Sequence, residues 1–395
     1  MQKSAYILVK LSCLACLVAG TVAWALPSAQ AGQPVELWDS TRALPEKMED
    51  IPPIPYAEYS YVERGEEGEY QYLHETGLEW FGGRLFAGWS NAARDESAPD
   101  KKIRGKYSDN GGKTWSEAFT MAPESEGDER REYANLALVD GDLWLFTTRI
   151  HSGWSFADPK LEGFVLEDDA REWSYQGILT DDGFVATDKP KQMDNGRWII
   201  AGMRKRYEDD TRIGENRIAI SEPGDVTSLK VSGIPHPENM RFPFVSFIMD
   251  GSEITAIMRN SKDTFVKLST SSDYGETWTM AEKTNLPSVA MKPFAGKLST
   301  GQRYFITGYP RERGDSTRHA LVIYVSEPGE EKFSKVWRIS RGKPYAMRFE
   351  GRGKGPGPSQ WSYPKAVEHD GRLYVIYTVN KEDAEMAVIP IEALN

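Results

Sequence analysis

The sequence predicts an all-β chain folded as a six-bladed β-propeller with four antiparallel strands in each blade. Three observations carry that expectation. Six apolar–turn–apolar patterns recur along the 395 residues, and the octapeptide "SDNGGKTW" at 108–115 returns as "SSDYGETW" at 271–278. Twelve Trp, eighteen Tyr and thirty-five Gly accompany few long helical patterns, as in a turn-rich sheet protein. Units repeated at a fixed interval point to stacked or radial architecture.

The six hairpin patterns are "GLEWFGGRLFAGW" (77–89), "ANLALVDGDLWLFTTR" (134–149), "KQMDNGRWIIAGMR" (191–204), "FVSFIMDGSEITAIMR" (244–259), "FAGKLSTGQRYFITGY" (294–309) and "KAVEHDGRLYVIYT" (365–378). Asp-Gly or Asn-Gly between alternating apolar residues signals a tight hairpin, because those residues accept positive φ. The turn glycines Gly83, Gly141, Gly196, Gly251, Gly301 and Gly371 fall about 50 to 70 residues apart, the length of a four-stranded blade. The strand that closes the ring is expected from "YAEYSYVERG" (56–65), ahead of the first hairpin, so that no open edge remains.

The octapeptide reads S-x-D-x-G-x-T-W, an Asp box that joins the two outer strands of a blade. Asp273 is expected to accept backbone N–H bonds in the turn, Gly275 to supply backbone freedom, and Trp278 to pack between sheets. Asn110 replaces the Asp in the first copy and offers the same acceptor oxygen. Both boxes should face away from any active site. "GRGKGPGPS" (351–359) reads as a loop, and Lys354 within it lacks the spacing and following helix of a phosphate-binding lysine.

Residues 1–31 read as a cleaved signal peptide: Lys3 and Lys10 precede the apolar run 11–26, which closes on Ala29-Gln30-Ala31. The mature domain is then 32–395, secreted or periplasmic, with no membrane segment after cleavage. Cys13 and Cys16 both lie in the leader, leaving the mature chain without thiols or disulfides. The five histidines, His74, His151, His236, His319 and His369, lack metal-ligand spacing, so neither a metal nor a cofactor is expected. Removing Lys3 and Lys10 leaves 46 basic against 59 acidic side chains, a net charge of −13. Such a surface repels nucleic acid and anionic membrane. A monomer is expected, and an acidic ligand would need a local basic cluster.

Two Asp boxes in a six-hairpin chain resemble the sialidase (neuraminidase) superfamily, its BNR-repeat branch in particular, across essentially the whole mature chain. That resemblance implies three arginines clasping a substrate carboxylate, a Tyr nucleophile supported by a Glu, and an Asp acid/base on a loop. Arg259, ending "ITAIMR", looks like one clasp arginine. Arg318 in "RERGDSTRHALVIYVSE" looks like another, with Arg311 as its competitor. Tyr363 in "WSYPKAVEHDG" resembles the nucleophile. Asp100, or else Asp95, in "NAARDESAPDKKI" resembles the acid/base. Where the first arginine normally stands, this chain reads "YLHETG" and offers His74 and Glu75. Where the Glu should stand it reads "MRFPFVSF", with Phe242, Pro243 and Phe244; Glu238 lies a few residues upstream.

Read for themselves, the starts of inner strands and the ends of second strands should face the propeller axis. These positions hold His74 and Glu75; Asn135, Arg149 and His151; Lys191 and Arg204; Arg259; Lys292 and Arg311; and Tyr363. Four hairpins thus deliver an Arg at or just beyond the second strand's end, namely Arg149, Arg204, Arg259 and Arg311. A guanidinium fork suits a carboxylate or sulfate. A ring of arginines would also lower the pKa of Tyr363 and activate it. Three functions follow as expectations. The first is a sialidase-type glycoside hydrolase on acidic glycans, using Tyr363, an arginine clasp and a loop acid. The second is a polysaccharide lyase on uronate-containing glycans, using Tyr363 and His74. The third is a non-catalytic glycan-binding propeller.

Overall fold

Every expected hairpin becomes the inner strand pair of one blade in the computed structural model. The structure describes residues 33–395 except 152–157, 167–171, 209–210, 237–239, 241, 261–262, 313–314, 316, 342–345 and 351–359, and only the backbone of 206–208 and 211–212. The expected leader, Glu238 and the 351–359 loop therefore lie outside the described residues.

Strand β1 (Glu58–Arg64) precedes blade I, which comprises β2 (Tyr72–Phe81), β3 (Arg84–Ala92), β4 (Lys102–Ser108) and β5 (Phe119–Ala122). Blade II is β6 (Glu129–Val139), β7 (Asp142–His151), β8 (Lys160–Leu166) and β9 (Trp173–Thr180). Blade III splits its innermost strand into β10 (Val185–Ala186) and β11 (Lys191–Gln192), followed by β12 (Trp198–Glu208), β13 (Thr211–Glu222) and β14 (Asp225–Ser232). Blade IV is β15 (Val245–Asp250), β16 (Glu253–Met258), β17 (Phe265–Ser271) and β18 (Glu282–Pro287). Blade V is β19 (Phe294–Lys297), β20 (Arg303–Gly308), β21 (Leu321–Ser326) and β22 (Phe333–Arg338). Blade VI is β23 (Trp361–His369), β24 (Arg372–Val379) and β25 (Asp383–Pro390), and β1 pairs antiparallel with β25 to complete it. The ring is closed by the strand expected from 56–65. The split in blade III spans 187–190, where Pro190 has no N–H to give to a ladder.

Tight turns set each inner pair. Asp140 and Gly141 both take positive φ, 53° and 99°, the backbone that matches the twist of flanking strands. Apolar residues of adjacent blades then interlock. Leu78 and Ala87 of blade I share one buried cluster with Ile376 and Met386 of blade VI. The segment after residue 33, unassigned from sequence, runs along the outer edges of blades IV and V, bridging Val35 to Thr284 and Trp38 to Phe333. The Asn285 carboxamide oxygen accepts the N–H groups of Leu37 and Trp38, at 2.9 and 2.8 Å. Edge strands β18 and β22 are thereby covered.

Both Asp boxes join the outer strands as expected. Asp273 Oδ1 accepts the Thr277 N–H at 2.9 Å, as Asn110 Oδ1 accepts that of Thr114 at 2.9 Å. Trp278 donates to the Gly275 carbonyl and stacks on Phe247, while Gly275 lies against Ile199 and Ile220 of blade III. The boxes begin at Ser108 and Ser271, opposite Leu85 and Ile254 beside the inner hairpin turns, the end of the blades remote from Glu75 and Tyr363. Asp273→Ala should lower stability by about 1 kcal/mol, whereas Asp273→Asn should be nearly neutral because Asn110 already serves there. Thermal unfolding of the two variants checks this; equal losses would contradict the acceptor role.

Candidate active site

Three inner strands carry the same irregularity, and it shapes the site. In β2 between His74 and Gly77, in β6 between Glu132 and Asn135, and in β23 between Ser362 and Lys365, three residues span two on the partner strand. Each bulge places a non-glycine residue at positive φ: Glu75 at 52°, Tyr133 at 70° and Tyr363 at 55°. A bulge re-aims side chains, and such backbone strain persists only where surroundings impose it. Neighbouring hydroxyls do so here. Thr378 Oγ1 donates to the Ser362 carbonyl at 3.1 Å, Thr147 Oγ1 to the Glu132 carbonyl at 2.9 Å, and Thr76 Oγ1 to the Tyr363 carbonyl at 3.0 Å.

Tyr363 is the centre of what the bulges bring together. Its ring stacks on His74 with centroids 4.1 Å apart and meets the edge of Phe244 at 5.7 Å. Arg318 lies over the ring at 5.3 Å and Lys292 at 5.1 Å, while Lys292 also covers Tyr133 at 5.0 Å. The Arg259 guanidinium sits between the Tyr363 phenol and the rings of Phe242 and Phe244. Burial lowers Arg259 to about 10 and outweighs the opposing effect of that phenol. Burial, then Lys365, pushes Lys292 well below the usual lysine range. Arg259 Nε and Lys292 Nζ have no hydrogen-bond partner among the described residues, whereas Arg318 donates to the Ala290 carbonyl at 3.0 Å. Buried donors without acceptors are costly, so this cavity favours an anionic guest.

His74 Nδ1 lies 2.9 Å from Thr378 Oγ1, which is also within 3.1 Å of the Ser362 carbonyl and 3.2 Å of Ser362 Oγ. When Thr378 gives its proton to that carbonyl, its oxygen accepts from Nδ1–H and Nε2 is the lone pair. Nε2 has no partner among the described residues. Burial, reinforced by Lys381 and Arg318, drives the imidazole well below its usual pKa, which keeps it neutral.

Two buried ionic groups flank this layer. Glu132 Oε1 accepts Lys101 Nζ at 2.7 Å and Arg130 Nε at 2.9 Å, with Glu75 Oε2 3.9 Å from the same Lys101. Asp188, in the break of blade III, pairs with Lys365 and accepts Ser246 Oγ at 2.6 Å.

The other expected residues are placed as follows. Arg318, not Arg311, reaches Tyr363; Arg311 is exposed and lines a separate surface cavity with Glu46, Asp315 and His319. Arg204 is exposed and lies over Gly183, while its neighbour Lys205 turns inward over Phe242 at 4.0 Å. Arg149 pairs with Glu162 and Glu129, at 3.2 and 3.3 Å, in a cluster on blade II. Asp100 accepts the Ala93 N–H and Asp95 holds Arg94 and Ser97, so both fold their loop on itself. Between them Glu96 pairs with Lys381 at 2.8 Å and lies within electrostatic reach of Tyr363. Among the described residues, no group of three His, Cys, Asp or Glu side chains is placed to hold a metal ion.

One expectation is corrected. The arginines were to lower the Tyr363 pKa, but burial pushes it up to about 12 against Arg318 and Arg259. Sequence reasoning also passed over Tyr133, Glu96, Glu132, Lys101 and Asp188. The β2 bulge did leave a signal. Leu73 and Leu78 share one core cluster yet stand five residues apart, an odd interval that needs one extra residue in an alternating strand.

The BNR repeat-like domain family matches residues 83–375 of the chain. No curated protein matches it by sequence. Among solved structures it is similar to the Hadza microbial sialidase Hz136, with 16% identity, a TM-score of 0.65, and coverage of 85% of this chain and 69% of that one. A protein of unknown function from Dyadobacter fermentans gives 14% identity and a TM-score of 0.65, with 85% of this chain and 99% of that chain covered. The Trypanosoma rangeli sialidase bound to 2,3-difluorosialic acid gives 13% identity and a TM-score of 0.66, covering 87% of this chain and 60% of that one.

Proposed function

Because the chain belongs to the BNR repeat-like family and has the six-bladed sialidase fold, we propose that it is an exported, monomeric glycoside hydrolase of sialidase type acting on an anionic sugar. One observation carries this reading: Tyr363, held on a strained bulge, lies under Arg318 and Lys292 with Arg259 hydrogen-bonded to its phenol, and Lys292 Nζ and Arg259 Nε have no acceptor among the described residues. The sugar's carboxylate or sulfate supplies those acceptors, and its charge restores the proton affinity that burial takes from Lys292. Tyr363 Oη attacks the anomeric carbon as the glycosidic C–O bond breaks, and its proton passes to neutral His74. The departing oxygen takes a proton from the 93–100 loop, through Glu96, which must first pick one up from water as the bound sugar draws away the Lys381 ammonium that pairs with it at 2.8 Å. Water then releases the sugar from the tyrosyl intermediate, with the loop acid acting as base.

A second reading rests on His74. A neutral imidazole stacked on a protonated tyrosine, beside cations that neutralise a carboxylate, also suits β-elimination from a uronate. Incubation with a panel of acidic glycans separates the readings. Free sugar without ultraviolet absorbance supports hydrolysis, an unsaturated uronate band supports elimination, and binding without either product leaves the non-catalytic propeller. Arg259→Ala should weaken binding of the selected glycan by about 10- to 150-fold, the worth of a hydrogen bond to a charged partner. Calorimetric titration checks this, and unchanged affinity would remove Arg259 from the clasp.

A further inference from the structure

The buried carboxylates Glu75 and Glu132 share one lysine unequally. Glu75 is 1% exposed and Glu132 1% exposed. Glu132 Oε1 receives both Lys101 and Arg130, at 2.7 and 2.9 Å, whereas Glu75 Oε2 stands 3.9 Å from Lys101 without a hydrogen bond. Among the described residues its carboxyl otherwise meets only neutral hydroxyls, Tyr72 at 3.5 Å and Ser90. Two anions cannot both draw fully on one desolvated ammonium. We propose that Glu132 is a positioning residue that keeps Glu75 in its acid form by taking both cations, so that the axial site stays net positive for an anionic sugar. The binding role rests on the proposed function; the protonation of Glu75 does not.

The surroundings agree. Glu75 faces Tyr72 on its own strand, Lys101 and Glu96 from the following loop, Glu132, Arg130 and Tyr133 from blade II, Tyr363 from blade VI and Lys292 from the approach to blade V. Burial raises the Glu75 carboxyl, with Glu132 and Glu96 adding to the rise and Lys101 and the Ser90 hydroxyl opposing it. Burial would raise Glu132 too, but Lys101 and Arg130 overcome it and hold the group at about 2. An ionised Glu75 would place a negative charge beside Tyr363 and Lys292, where the sugar's own anion must sit.

The test is the infrared carboxyl band of Glu75, taken as wild type minus Glu75→Gln and followed against pH. It should titrate above the ordinary glutamate range. Glu132→Gln removes a repelling charge and frees Lys101 to close on Glu75, so the midpoint should fall by about one pH unit or more. Glu132→Asp should restore it, and Lys101→Met should move it upward. An ordinary midpoint in the wild type overturns the proposal without needing any variant to fold, as does an unmoved midpoint in folded Glu132→Gln. If the band behaves as expected but no anionic glycan binds, the proposed function fails and the ionic arrangement stands.

Discussion

Asp188→Ala should remove about 3–5 kcal/mol of stability, the usual cost of stripping one partner from a buried ion pair. Asp188 is 1% exposed and lies in the interrupted inner strand of blade III. Its carboxylate pairs with Lys365 of blade VI, accepts Ser246 Oγ of blade IV at 2.6 Å, and stands 3.7 Å from Lys191. Lys191 in turn donates to the carbonyls of Phe247 and Ala295, at 2.8 and 2.7 Å, reaching blades IV and V. Three blades therefore meet at one anion, and Lys191 extends the contact to a fourth. Its removal leaves two buried lysines uncompensated, and both already bind their protons less tightly than usual because of burial. Burial alone would raise Asp188, yet Lys365 and Lys191 bring it to about 2. A depressed carboxyl stabilises the fold above its unfolded pKa, and that contribution is lost as pH falls from the ordinary carboxylate range towards 2. Urea unfolding at neutral pH should show the full deficit, with the gap between variant and wild type narrowing in acid. A neutral-pH loss below about 1 kcal/mol would show that the axis does not depend on this anion.

Tyr363→Phe should abolish glycan turnover, by roughly 10³-fold or more in kcat, while leaving KM close to the wild-type value. Only the hydroxyl is lost, and with it the hydrogen bond it shares with Arg259. The stack on His74, the edge contact with Phe244 and the cations above the ring all belong to atoms that Phe retains. The bulge keeps its φ of 55° because the Thr76 and Thr378 hydroxyls hold the carbonyls of Tyr363 and Ser362 rather than the side chain. Folding should survive for the same reason. The phenol near 12 starts protonated, so attack must be concerted with proton removal, and kcat should depend on His74 as well. Steady-state kinetics on the glycan selected by the panel measure this. Turnover within tenfold of the wild type would exclude Tyr363 as the attacking group.

Turn chemistry is local, and so the hairpins could be read directly. Asp140-Gly141 or Ser271–Trp278 needs only its own residues to specify a backbone, and six such signals at blade-length intervals leave few ways to arrange the chain. The same reasoning brought Tyr363, Arg259, His74, Glu75 and Lys292 towards the axis, because strand ends in a propeller converge there, whereas in blade V it pointed to Arg311 and only the family resemblance offered Arg318. In blade III it pointed to Arg204, and the structure turns Lys205 inward instead. Those neighbours point to opposite faces of one strand, and which face meets Phe242 is fixed by how blade III sits against blade IV.

Blade number, the closing strand, the outer-strand turns and part of the set of chemically able side chains near the axis follow from the order of the residues. Tertiary structure alone decided their charge states and partners. Three bulges shift strand parity by one residue, which exchanges inward for outward side chains beyond each of them. Contacts such as Lys365 with Asp188, or Lys101 with Glu132, join residues far apart in the chain. Burial then turns those contacts into large pKa changes, raising Tyr363 where its arginines alone would lower it. Desolvation depends on everything packed around a group at once, and no short stretch of sequence contains that information.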